Sequence, residues 1–241
     1  MKGTAVIVGA GDGTGAAVAR AFARERLTAC LVRRPRHADA LDGLVREIEA
    51  AGGRAAAMPA DARDEAEVAR VFAEAEAIGP VEAAVFNIGA NVRFGIEETT
   101  ERVYRKVWEM AALSGFLTIR EAARVMRPRG RGTILCTGAT ASLRGAAGFS
   151  AFAGAKHALR ATAQAAAREL GPHGIHVAHV VIDGMIDGAF IRENVPGAED
   201  LLAEDRVIRP EAIAAEYVRL HRQPRGAWTF ECDLRPYAET W

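Results

Sequence analysis

Apolar runs and helix-spaced apolar positions alternate along this chain. Ala5-Val6-Ile7-Val8 is short and β-branched, too short for a membrane span, and reads as a buried strand. Val18, Ala21 and Phe22 then recur at helical spacing, the inward stripe of a helix. Thr28–Val32 reads as a second strand, and Leu41, Leu44, Val45 and Ile48 mark a helix closed by Gly52-Gly53. A weaker third strand, Arg54–Met58, precedes a helix with Val68, Val71, Phe72 and Ala75 inward. Val81–Phe86 is the fourth strand. A long helical region from about Thr100 carries Val103, Val107 and Met110, and Pro128 limits it. Thr133–Thr137, the alanine-rich helix Phe149–Leu170 and the strand Ile175–Ile182 follow, and Trp228–Leu234 reads as a final strand. Repeated β–α units imply an α/β fold: a doubly wound parallel sheet with helices on both faces, joined by right-handed crossovers.

The join between the first strand and first helix carries the strongest chemical signal. Gly9, Gly13 and Gly15 stand in the spacing G-x-x-x-G-x-G, with Gly11 between them. Such glycines let the backbone turn sharply and approach a pyrophosphate, whose charge meets free N–H groups at the helix N-terminus. A plain strand-to-helix turn also favours glycine, but four within seven residues after an N-terminal strand point to a Rossmann-type dinucleotide site. Gly9, Gly11, Asp12, Gly13, Thr14 and Gly15 are its candidate cofactor contacts.

Bulk properties narrow the setting. At 241 residues, half of them hydrophobic, the chain suits one α/β domain spanning 1–241. With 31 basic and 31 acidic residues, the charge balance gives no reason to expect nucleic acid. Only Met1–Gly3 precede the first strand, so no signal or transit peptide is expected, and no apolar run approaches a membrane span. Three unclustered cysteines suit a reducing cytoplasm, with Cys30 and Cys136 as core thiols and Cys232 unassigned.

Cofactor choice is read at the end of the second strand. An acidic residue about 20 positions past the glycines would hold adenosine ribose hydroxyls and favour NAD. Here Arg33-Arg34-Pro35-Arg36 fills that place, and the first acid is Asp39. Guanidinium groups suit a 2′-phosphate, so NADP(H) is expected over NAD(H), with Arg33 and Arg34 as contacts. A solvated basic loop is the alternative.

The glycine spacing, Asp61 after the third strand, Phe86-Asn87-Ile88-Gly89 after the fourth, Lys156 in the long helix and Arg209-Pro210-Glu211 together resemble a short-chain dehydrogenase/reductase. The ordered set covers Thr4 to about Ala214. The resemblance implies that Asp61 and Ala62 contact the adenine, that Asn87 and Gly89 line the adenosine side, that Ile186 is a further cofactor contact, and that Lys156 binds the nicotinamide ribose. It also implies a small-molecule substrate and a homodimer or homotetramer.

The family's catalytic pattern breaks at several positions. The tyrosine four residues before the lysine is Phe152, the serine position is Ala139, and the asparagine position is Ala112. The family's Pro-Gly after the sixth strand is Asp183-Gly184, and Gly188 replaces a threonine. Phe152 has no hydroxyl, and lost acid–base assistance costs about 10²–10⁴-fold in rate. The pattern therefore resembles a divergent subgroup with phenylalanine for tyrosine and the lysine retained. Thr137, Thr140, Ser142 and Ser150 lie near the expected site. Asp183 and Asp187, beyond the sixth strand, are the candidate replacement acids, because ligands bind at strand C-terminal ends. His157, beside Lys156, faces away from it on the helix.

A segment of about 184–209 is the expected substrate cover, with Pro196-Gly197 as a turn. Tyr237 and Trp241 in the tail, and the small-residue face of Ala153–Ala167, are expected to serve subunit contacts. Three functions fit the sequence: an NADP(H)-dependent oxidoreductase with altered proton chemistry, an inactive nucleotide-binding scaffold, or a non-redox enzyme using Asp183 or Asp187.

Overall fold

The computed structural model describes residues 3–240; Met1, Lys2 and Trp241, including the expected contact role of Trp241, lie outside the described residues. Seven strands form one sheet in the order β3-β2-β1-β4-β5-β6-β7, every neighbouring pair parallel. They are β1 (Thr4–Val8), β2 (Thr28–Arg33), β3 (Arg54–Pro59), β4 (Val81–Phe86), β5 (Gly132–Thr137), β6 (Ile175–Ile182) and β7 (Glu231–Leu234). The helices are α1 (Thr14–Arg24), α2 (Ala38–Ala50), α3 (Glu65–Ile78), α4 (Glu101–Trp108), α5 (Ser114–Met126), α6 (Ser150–Leu170), α7 (Ala189–Asn194), α8 (Ala198–Ala203) and α9 (Pro210–His221).

The period of two in each strand divides the core between the two faces. Val6, Val8, Ala84, Phe86, Ile134 and Val177 pack against α3, α5 and α6 through Phe72, Leu117, Met126 and Leu159. Ala5, Ile7, Leu31, Val85, Leu135 and Val180 pack against α1, α2 and α9 through Phe22, Leu41, Ile213 and Tyr217. Because both faces are covered, the central strands are almost entirely buried, which explains their largely apolar composition. Cys30 and Cys136 are buried free thiols in these strands, and Cys232 lies half-buried on β7.

Two elements differ from expectation. The helical region from Thr100 is two helices joined by a π-helical turn at Glu109–Leu113. Ser114 Oγ there donates to the Met110 carbonyl at 2.5 Å, taking up a group that the wider turn frees. The last strand starts at Glu231 rather than Trp228. The Trp228 ring stacks on His176 with centroids 5.0 Å apart, and Thr229 N–H donates to Gln223 Oε1 at 2.8 Å, so these residues leave the ladder. The segment of about 184–209 holds α7 and α8 and is closed at its base by an Ile186–Ile208 bridge. No helix among the described residues is long and apolar enough to cross a membrane.

The backbone is tightly apposed at the first turn, where a Cβ on Gly15 would lie 2.2 Å from the Gly9 oxygen. Gly15→Ala is therefore expected to lower unfolding free energy by about 1–3 kcal/mol through overpacking. A urea midpoint equal to wild type would mean that α1 can back away from the turn without cost.

Candidate functional site

The site begins where β1 ends. Gly9 adopts φ +96°, and a Cβ there would meet the Asn87 carbonyl carbon at 2.8 Å. Gly9 and Gly15 thus let the β1 turn, α1 and the end of β4 meet closely. Gly13 and Gly89 differ: nothing lies within 4 Å of a Cβ built on either, so a side chain would project into open cleft. The N-cap Gly13 offers no side-chain acceptor, and no acid occupies the first turn of α1. By contrast, Asp64 caps α3, accepting from Ala66 N and Glu67 N at 2.8 and 3.0 Å. The first N–H groups of α1 are left with their partial positive charge for an outside anion.

Two cavities flank this turn. The larger, about 570 Å³, runs from Gly9, Gly11, Asp12, Gly13, Thr14 and Gly15 to Ala139, Phe152, Lys156 and Ile186. The smaller, about 240 Å³, is lined by Arg33, Arg34, His37, Asp61, Ala62 and Arg63. Both share Gly9, Gly11, Asn87, Ile88 and Gly89, so they form one cleft across the strand C-terminal ends. This is the switch point of the sheet, where β1 lies between β2 and β4 and the chain's connections lead outward to opposite edges on its two sides. All the residues expected to contact a cofactor line this cleft. A dinucleotide fits the residues present, since the open glycines, uncapped helix and cationic end match its pyrophosphate and its ends.

At the far end, Lys156 is buried, 2% exposed. Its Nζ donates to the Thr137 carbonyl at 2.9 Å and the Ile88 carbonyl at 3.2 Å. Desolvation lowers its pKa to about 8. Asn87 stands beside it: its Nδ2 donates to the Gly9 carbonyl at 3.2 Å, and its Oδ1 accepts from Thr137 Oγ1 at 2.9 Å. Since the Thr137 hydroxyl hydrogen is thereby used, Tyr217 donates to Thr137 Oγ1, at 2.6 Å. Tyr217, on α9, is a site support that sequence reading missed.

The positions of the expected serine, asparagine and tyrosine converge. Ala112 and Phe152 belong to one apolar cluster with Ala90, Val107, Ala111 and Ala141, and Ala139 packs against it. Of the nearby hydroxyls, Thr140 lines the cavity and donates to Asp183 Oδ1. Ser142 Oγ accepts from Ala139 N at 3.0 Å, while Ser150 Oγ is buried without a partner among the described residues. His157 hydrogen-bonds the Ala153 carbonyl at 2.9 Å and does not line the cleft.

The two aspartates are placed differently from the other candidates, and neither lines the cavity. Asp183 is buried behind Thr140, with Arg235 Nη2 at 3.5 Å from its Oδ2 and Arg144 Nη2 at 4.0 Å from its Oδ1. Asp187 accepts two hydrogen bonds from Arg192, both 2.8 Å, outside the cavity wall. Sequence alone did not show that these ion pairs would claim the carboxylates.

The basic end holds more charge than sequence reading assigned. Arg33 reaches Asp12 at 3.0 Å, and Arg63 pairs bidentately with Asp61 at 2.5–2.9 Å, which holds the Asp61 carboxyl below its usual range. The Arg34 side chain has neither ion pair nor hydrogen bond among the described residues; desolvation and then Arg36, Arg63 and Arg33 lower its pKa. His37 is lowered likewise, by desolvation and then the neighbouring arginines. Arg63 and His37 were missed; the Asp61-Ala62-Arg63 spacing was the available signal for the first.

Comparison with known proteins agrees with this geometry. The family model for short chain dehydrogenase matches residues 3–199. A short chain dehydrogenase/reductase of Aspergillus novofumigatus is 31% identical over 90% of this chain and 82% of its own length. A short chain dehydrogenase of Passalora fulva is 32% identical, covering 90% and 81%. The crystal structure of a short-chain dehydrogenase from Rhodopseudomonas palustris is 48% identical with a TM-score of 0.84, covering 98% of this chain and 99% of that one. A metagenomic short-chain oxidoreductase solved in complex with NADP, 24% identical, shares the fold with a TM-score of 0.81, covering 98% of each chain. The chain belongs to the short-chain dehydrogenase/reductase family, a family of nicotinamide-dependent oxidoreductases.

Burial of Lys156 has a measurable consequence. Its amine titrates near 8 when folded and near 10.5 when unfolded, so the unfolded chain binds more protons between these values. Wild-type stability therefore gains, relative to Lys156→Met, as pH rises from 8 to 10.5, by up to about 3 kcal/mol. The difference between the two urea curves isolates this, because buried Cys30, Cys136 and Cys232 thiols, pushed up to about 12, act with the opposite sign. A difference that does not change with pH would mean that Lys156 is not a desolvated ammonium.

Proposed function

We propose that the protein is an NADP(H)-binding oxidoreductase acting on a small-molecule substrate through a non-standard active site, in which Phe152, Ala139 and Ala112 replace tyrosine, serine and asparagine. The observation that carries the cofactor reading is the unbalanced cationic group at the small cavity. Arg33, Arg34 and Arg63 line it with Arg36 next in the loop, against Asp61 in the lining, Asp12 on Arg33 and Glu109 4.0 Å from Arg63, and the Arg34 side chain has no ion pair among the described residues. A 2′-phosphate would relieve that repulsion, whereas a bare ribose would not.

A bound nicotinamide would supply or accept a hydride. The chain's own part is to hold it: N–H groups of α1 for the pyrophosphate, Asn87 and Gly89 for the adenosine side, Asp61 and Ala62 for the adenine, and the Lys156 ammonium for ribose hydroxyls. Phe152 excludes water from that end but exchanges no proton. Of the two candidate aspartates, Asp183 is the one connected to the cleft, through the Thr140 hydroxyl on the cavity wall, and between Arg235 and Arg144 its carboxylate orients groups there rather than supplying a proton; Asp187 is held by Arg192 instead. The segment of about 184–209 covers the substrate. A second reading, a nucleotide-binding scaffold without catalysis, draws support from the joint replacement of the polar positions by one apolar cluster.

We also read the protein as cytoplasmic and as a homodimer or homotetramer. Support for self-association comes from an apolar groove between α5 and α6, where Phe116 and Ile119 face Ala165 and Ala166. Light scattering is expected to give at least a dimer, and Phe116→Glu to shift it toward monomer; a monomeric wild type would remove this reading.

Calorimetric titration tests the cofactor assignment. NADPH should bind at least about tenfold more tightly than NADH, and an Arg33→Ser/Arg34→Ser double variant should lose about 10–100-fold toward NADPH with little change toward NADH. Equal affinities would overturn the NADP(H) preference. Binding of neither would leave the scaffold reading without its nucleotide and the redox reading without its reagent.

A further inference from the structure

Beyond the glycine turn, much of the large cavity is walled by Ala139, Ala141, Phe149, Phe152, Ile182 and Ile186. One cationic side chain at the mouth interrupts this apolar surface. Arg144 follows the Thr140–Ser142 turn, and its backbone N–H donates to the Thr140 carbonyl at 3.2 Å. Its side chain is 49% exposed, lines the cavity and makes no side-chain hydrogen bond among the described residues. The nearest carboxylate, Asp183, is 4.0 Å away, long for a charge-assisted hydrogen bond.

That carboxylate does not need Arg144. Thr140 donates to one of its oxygens, and Arg235 lies 3.5 Å from the other. The tail carries Arg235 there because β7 pairs with β6 up to Ile182↔Leu234, and the Asp183 N–H donates to the Leu234 carbonyl at 2.8 Å. Asp183 therefore attracts Arg144 to the cavity mouth while leaving its planar fork of donors unspent. Apolar walls strengthen any ion pair made there, because they lower the local dielectric.

We infer that Arg144 anchors a carboxylate of the substrate, whose apolar body fills the chamber beside Phe152, and that Asp183 acts as a positioning residue for that guanidinium. This rests on reading the cleft as a joint cofactor and substrate site. A single guanidinium fork matches the two coplanar oxygens of a carboxylate, which favours a carboxylic acid over a neutral alcohol or ketone.

Calorimetry on the full chain, with and without saturating NADPH, tests this using 3-phenylpropionate, 3-phenylpropanamide and phenyl phosphate. The acid is expected to bind at least about tenfold more tightly than the amide. Arg144→Gln should remove that difference by weakening the acid alone, with the amide, the NADPH affinity and the thermal midpoint unchanged. Equal binding of acid and amide, no binding of the acid, or an acid affinity indifferent to Arg144→Gln would overturn the inference; tighter binding of phenyl phosphate would overturn its assignment to a carboxylate. If NADPH itself fails to bind, the cofactor reading falls, and the acid–amide comparison on the cofactor-free protein still decides the role of Arg144.

Discussion

A buried ammonium with no carboxylate beside it is costly, and the cleft is arranged around one. Lys156 is tolerated because two backbone carbonyls, Thr137 at the end of β5 and Ile88 just beyond β4, point at its Nζ. Those hydrogen bonds pin α6 to the ends of two neighbouring central strands. Thr137 then becomes a hub: its carbonyl serves Lys156, and its hydroxyl links Tyr217 on α9 to Asn87 and so to Gly9. Elements from both faces of the sheet thus converge on one point.

The apolar residues at positions 112, 139 and 152 are physically coherent with one another. Removing one member of a buried polar network normally strands its partners. Here Ala112, Ala139 and Phe152 meet in apolar surroundings, and Ser150 Oγ is the nearby hydroxyl buried without a partner among the described residues. The Phe152 ring still lies 5.9 Å from Lys156 Nζ, close enough to shield the ammonium and interact with it through the ring face. The π turn at Glu109–Leu113 carries Ala112, and the Ser114 hydroxyl hydrogen-bonds back across it to the Met110 carbonyl.

Most of the sheet was legible because buried parallel strands are continuous apolar runs and their helices carry regular stripes. The glycine turn was legible for another reason: it must do its work within a few consecutive residues. What escaped depends on partners distant in sequence. Nothing local distinguishes Asp183 from a solvated loop acid until Arg235 is brought beside it, and Asp187 reads the same way until Arg192 takes both its oxygens. Tyr217 looked like an ordinary stripe residue on α9, and its hydroxyl acquires meaning only against Thr137. Trp228 had strand-like neighbours, but the His176 ring drew it out of the ladder.

The tail braces the edge of the sheet against the long helix and the turn after β6. Glu231 on β7 accepts from Arg160 on α6 at 2.6 and 2.7 Å and from His179 Nδ1 on β6 at 2.9 Å. Burial pulls His179 down to about 4, so near neutral pH it is an uncharged donor to that carboxylate. This ties the edge strand to the helix that carries Lys156. Farther along, a Cβ on Gly184 would meet Pro236 at 2.7 Å, so the turn after β6 is shaped directly against the tail. The glycine turn and the basic pocket draw on the ends of β1, β2, β3 and β4, while the Asp183–Arg144 side depends on β6, β7 and the tail. The two sides meet at Thr137, whose hydroxyl links Tyr217 to Asn87 and so to Gly9.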